Sequence, residues 1–80
     1  MALYKYSNYL GTHKSGAFDI PFAPEHHVPS SGIYRCTGCG SEIAIEEGRC
    51  FPPESHHKHR PAQGTAKWQL IVAAQRAADA

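Results

Sequence analysis

Cys36-Thr37-Gly38-Cys39-Gly40 is the segment that most narrows what this chain can fold into. Two cysteines with two residues between them turn both sulfurs toward one point only if the backbone makes a tight turn. Gly38 and Gly40 permit that turn, because glycine adopts positive φ without a Cβ clash. Such a turn also directs amide N–H groups at the sulfurs, which stabilises thiolates. Tetrahedral zinc takes four ligands, so this pair supplies half a site and the rest must come from elsewhere in the chain.

A metal staple is also expected on size. With 80 residues there is material for one domain. Below about 70–80 residues a hydrophobic core alone rarely supplies more than about 3–5 kcal/mol. Residues 11–32 are rich in Gly, Pro, Ser and His, and residues 52–65 are polar with three prolines. The core must therefore come mainly from Ile33, Tyr34, Ile43, Ile45, Phe51, Trp68, Leu70, Ile71 and Val72. Three cysteines, an odd number, do not make a closed disulfide framework. Residues 1–20 contain no continuous apolar h-region, since Lys5, Ser7, Asn8, Thr12, His13 and Lys14 interrupt it. The expectation is a cytoplasmic, reducing setting, where paired cysteines bind metal or do redox chemistry. No run approaches the roughly 20 apolar residues of a membrane span. The formal charge of +1 argues against nucleic acid as a general partner.

Gly32-Ile33-Tyr34-Arg35-Cys36 reads as a short strand of β-branched and aromatic residues. Glu42-Ile43-Ala44-Ile45-Glu46 alternates polar and apolar, the period of a half-buried strand. Arg49-Cys50-Phe51 is expected as a third short strand, stopped by Pro52-Pro53. Lys67 to Ala73 is the strongest apolar segment; as a strand it points Trp68, Leu70 and Val72 one way, and its composition favours strand over helix. Prolines 21, 24 and 29 exclude a regular helix or central strand. Phe18, Ile20 and Phe22 are expected as isolated anchors on the core. Residues 2–10 read as an edge strand or arm, and the alanine-rich stretch after Ala73 as a tail or short helical turn.

The second half of the metal site is expected downstream. Sixteen residues separate Cys39 from His56, and His56-x₂-His59 repeats the two-residue gap. Cys50, His57 and Glu54 are alternatives, Cys50 being the softest donor. A redox role for a Cys-x₂-Cys pair goes with a helix start in a βαβ setting, which this pattern lacks. Of six histidines, His26 and His27 read as loop histidines and not ligands, no cysteine partner being expected near them.

Gly32 through Gly40, followed by Glu42, Gly48 and Phe51-Pro52-Pro53, resembles the small bacterial zinc-ribbon (rubredoxin-like) proteins. There a Gly-x-Tyr-x-Cys-x-x-Cys-Gly strand and turn lead through a hairpin to Pro-Pro and a second Cys-x-x-Cys. The resemblance implies a zinc-ribbon fold and a structural zinc. Its pattern would place the remaining ligands at Glu54 and His57, neither of which is cysteine. Either those two take over, or the ligands slip to His56 and His59, or Cys50 substitutes.

The expectation is thus a small β-rich, zinc-ribbon-like antiparallel sheet with an extended N-terminal arm and little or no helix. Residues 1–31 form the arm, 32–73 the metal-stapled β domain and 74–80 a tail. One Zn²⁺ is expected per chain. The function expected is a structural-zinc binding module that mediates protein interaction, through a surface with Tyr4, Tyr6, Tyr9 and, unless it is core, Trp68. Metal sensing or buffering is one alternative. A nucleic-acid-binding ribbon is another, resting on the local basic run His56 to Arg60. An enzyme is not expected, since no His-Glu-x-x-His motif, nucleophile elbow or glycine-rich phosphate loop is present.

Overall fold

A computed structural model describes residues 1–53 and 64–75. Three strands, β1 (Gly32–Cys36), β2 (Glu42–Ile45) and β3 (Trp68–Ala73), form one antiparallel sheet in the order β2-β1-β3. The helical content of the described residues is two single 3₁₀ turns, Ser7–Tyr9 and Gly16–Phe18. The protein is β-rich with little helix.

Alternation in the sequence accounts for the sheet. Tyr34 and Cys36, two residues apart on β1, are both buried on one face. Across the ladder Leu70 stands opposite Tyr34 and Trp68 opposite Cys36, so the four largest contributions of β1 and β3 meet as cross-strand pairs. On the other side Ile43 stands opposite Tyr34. The β1–β3 register shifts between Ile33 and Tyr34: Ile33 faces Val72 while Tyr34 faces Leu70, leaving Ile71 as the extra residue of a bulge. This corrects the expectation that Trp68, Leu70 and Val72 point alike. Trp68 and Leu70 are buried, but beyond the bulge Val72 is half-buried.

A second layer covers the buried face. Phe22 exchanges both backbone hydrogen bonds with Trp68, at 2.8 and 2.9 Å, and so extends the outer edge of β3. The Gln69 side-chain amide donates to the Phe18 carbonyl at 2.7 Å, holding the same segment. The Val28 N–H donates to the Arg49 carbonyl and the Phe51 N–H to the His26 carbonyl, at 2.7 and 2.9 Å. Arg49-Cys50-Phe51 therefore pairs with residues 26–28 above the sheet and is not a further sheet strand. Phe51 lies edge-on to Tyr34 at 4.8 Å and stacks on Phe22 at 5.6 Å, joining the two layers.

The core consists of Trp68, Tyr34, Phe51, Val28, Cys36, Leu70 and Ala66, with Phe18, Phe22, Cys39, Ile43 and Ile45 packed against it. Val28, Cys36 and Ala66 were not among the expected core residues. Ile33, Ile43, Ile45, Ile71 and Val72 are half-buried, because β2 is at the sheet edge and the second layer covers one face. Ile20 is half exposed and does not anchor the arm as Phe18 and Phe22 do. Leu3, Tyr4, Tyr6 and Tyr9 are exposed, with Tyr6 and Tyr9 edge-to-face at 5.9 Å. No helix among the described residues is long and apolar enough to cross a membrane.

Candidate metal centre

The turn that carries Cys36 and Cys39 is built by the end of β1. The Cys36 N–H donates to the Ser41 carbonyl at 2.7 Å, and the Gly40 N–H donates back to the Cys36 carbonyl at 2.8 Å. Closing the chain this tightly requires Gly40 at φ 83°, a left-handed conformation that side chains disfavour. Thr37 donates its N–H to the Lys67 carbonyl at 2.8 Å, which ties the turn to the entry of β3. Cys36 is fully buried opposite Trp68 in the β1–β3 ladder and Cys39 is half-buried. The Cys39 thiol donates to the Ser41 hydroxyl at 3.2 Å.

The Arg35 guanidinium stands beside this turn. A Cβ built on Gly40 would fall 2.8 Å from Arg35 Nη2, so the guanidinium lies against the glycine. Arg35 Nη1 also donates to Glu42 Oε2 at 3.1 Å, as expected of directly opposed residues on β1 and β2. The N-terminal ammonium reaches the same Glu42 oxygen at 3.3 Å. Arg35 thus brings a positive charge beside the cysteine turn, and Glu42 holds it in place.

The structure places Cys50 apart from this turn. Cys50 is exposed, on the 49–51 segment that pairs with residues 26–28, and its sulfur lies 3.9 Å from His27 Nδ1. Among the described residues no three His, Cys, Asp or Glu side chains gather where a metal ion could be held. Glu54, His56, His57 and His59, the other expected ligands, lie outside the described residues. Within the described residues the candidate comes down to Cys36 and Cys39, two cysteines on a glycine turn at the buried end of the central strand. That donor set fits a thiophilic ion such as zinc.

Sequence reasoning missed the His27–Cys50 pair. The two residues are 23 positions apart, and no hairpin signature joins residues 26–28 to 49–51. The one available hint was that Val28 and Phe51 are apolar residues beside polar stretches, each able to fix a short pairing by burial.

Fold and turn together define the class: a small antiparallel β domain with a Cys-x₂-Cys turn closing its central strand. No protein-family model matches the chain, and no solved structure matches it. It is similar to a curated Escherichia coli protein named "Protein L", with 53% identity over 51 residues. The matched region is 64% of this chain and 58% of that protein, so the chain spans less than two thirds of the relative's length. The relative's name states no activity, ligand or partner.

Proposed function

We propose that this chain is a structural-zinc binding module of the zinc-ribbon type that serves protein interaction and not catalysis. Cys36 and Cys39 hold one Zn²⁺ together with two donors from the segment after Pro53, His56 and His59 in the first place and Glu54 and His57 in the second. Cys50 is the weakest alternative, because it lies exposed beside His27. The observation that carries this reading is the turn itself: Gly40 at φ 83°, hydrogen-bonded back to Cys36, at the end of β1. The ion supplies a cross-link between β1 and the chain beyond Phe51, in a fold whose buried core is small. The interaction surface is the arm, where Tyr4, Tyr6 and Tyr9 are exposed; Trp68 is fully buried and takes no part in it.

Native mass spectrometry of the full chain purified from ordinary medium tests the proposal. One zinc per chain is expected in the wild type and none in Cys36→Ser. A His56→Ala/His59→Ala chain is expected to lose the ion, and retention there with loss in His57→Ala would select the second donor set. A wild-type chain that carries no metal and shows a dispersed, unchanged NMR spectrum in excess chelator would sink the reading.

A further inference from the structure

We propose that His27 and Cys50 form a second metal-binding site, on the protein surface, for a soft d¹⁰ cation of low coordination number, Cu(I) being the type. The proposal goes beyond the structural zinc and rests on the reading in which Cys50 stands outside the zinc site. It rests on a backbone frame that fixes two soft donors side by side.

His27 and Cys50 are bridge partners between antiparallel segments. The flanking hydrogen bonds, Val28 N–H to Arg49 carbonyl at 2.7 Å and Phe51 N–H to His26 carbonyl at 2.9 Å, make them a non-hydrogen-bonded pair. In such a pair the two Cα atoms approach to about 4.5 Å and the side chains leave on the same face. Their neighbours Val28 and Phe51 are both buried, which directs His27 and Cys50 outward together. The His26 ring is itself held, Nδ1 lying 2.9 Å from the His27 carbonyl. The donors are thus positioned by burial of their neighbours and reach solvent without any opening of the core.

The separation suits one shared ion. At the bond lengths zinc makes, about 2.3 Å to sulfur and about 2.0 Å to nitrogen, two donors on one ion stand about 3.5 Å apart at the tetrahedral angle and about 4.3 Å apart when linear. The observed 3.9 Å lies between these values. The thiol and the imidazole are in long hydrogen-bond contact at this distance, a contact that an ion bound between them would replace. Zinc would need two further donors, and among the described residues no third His, Cys, Asp or Glu joins the pair. A monovalent d¹⁰ cation is satisfied by two, and thiolate with imidazole is a soft enough set to select it. Binding releases the thiol proton to solvent and leaves the metal's oxidation state unchanged.

The test is anaerobic competition of the full chain against the coloured Cu(I)–bicinchoninate complex, following loss of the chelate absorbance. The wild type is expected to withdraw one equivalent more than either His27→Ala or Cys50→Ser, both surface changes whose fold is checked by far-UV circular dichroism. Equal withdrawal by all three proteins overturns the proposal. So does loss in Cys50→Ser with none in His27→Ala, since the thiol then acts without the imidazole. The zinc content of the same proteins reads the Cys36–Cys39 site separately, so failure of one assignment is distinct from failure of the other.

Discussion

Gly32 is held to glycine by contact. A Cβ built there would collide with the Val72 backbone carbonyl, which cannot move without parting β1 from β3. Gly32→Ala is expected to lower stability by about 1–3 kcal/mol, read as a drop in the urea midpoint. Gly40 differs: its φ of 83° is the constraint, while the neighbouring Arg35 tip is flexible and can give way. Tyr34 offers a pH-dependent test. Its hydroxyl donates to the Ser30 carbonyl at 2.7 Å, and burial, reinforced by the negative charge of Glu47, pushes its pKa up. A phenol with a raised folded pKa contributes stability that is fully present below its unfolded value of about 10 and is lost as pH rises through the folded value. Stability measured by urea unfolding should therefore decline above about pH 10, where the unfolded chain ionises first. Tyr34→Phe should flatten that alkaline decline and cost about 0.5–1.5 kcal/mol at neutral pH.

At the scale of elements, Phe51 joins the sheet to the layer above it. Phe51→Ala removes its contacts with both Tyr34 and Phe22 and is expected to cost about 3–5 kcal/mol. Trp68 is the one tryptophan and lies in the same core, so its fluorescence reports the loss directly. The sheet itself was legible in the sequence. Gly32–Cys36 emerges with its expected bounds, and β2 and β3 fall within one residue of theirs. Period-two alternation of β-branched and aromatic residues is a local signal, and it survives folding wherever one face is buried. The bulge at Ile71 was not legible, because a register shift depends on the partner strand. The ladder between residues 26–28 and 49–51 was hidden for the same reason, each side contributing a single buried anchor. The candidate site divides along the same line. Its first half is five consecutive residues whose glycine dictates a turn, whereas several histidine spacings after Pro53 satisfy the second half equally well.

For the whole molecule, the small core sets the weight that a metal ion would carry. Seven residues make up the buried hydrophobic cluster among the described residues. Structural zinc in finger peptides contributes about 10–16 kcal/mol near neutral pH, comparable to or larger than the net stability of an ordinary domain. Excess chelator is therefore expected to unfold the wild type cooperatively, with collapse of the near-ultraviolet circular dichroism of Tyr34 and Trp68, and re-added zinc to restore it. Cys36→Ser should give the chelated spectrum without chelator. An unchanged melting temperature under chelation would count against any structural ion.

The β1–β3 ladder joins Cys36 to Trp68, 32 positions further along (68 − 36). At synthesis rates of about 5–20 residues per second, about 2–6 s pass on the ribosome between the two strands. Through that interval the nascent chain can form the β1–β2 hairpin and the pairing of residues 26–28 with 49–51, but not the β1–β3 ladder that buries Cys36. The Cys36 thiol, later buried once β3 pairs with β1, is then open to whatever the surrounding fluid offers, whether a metal donor or an oxidant. Its chemical fate is thus open to decision during translation, before the domain exists.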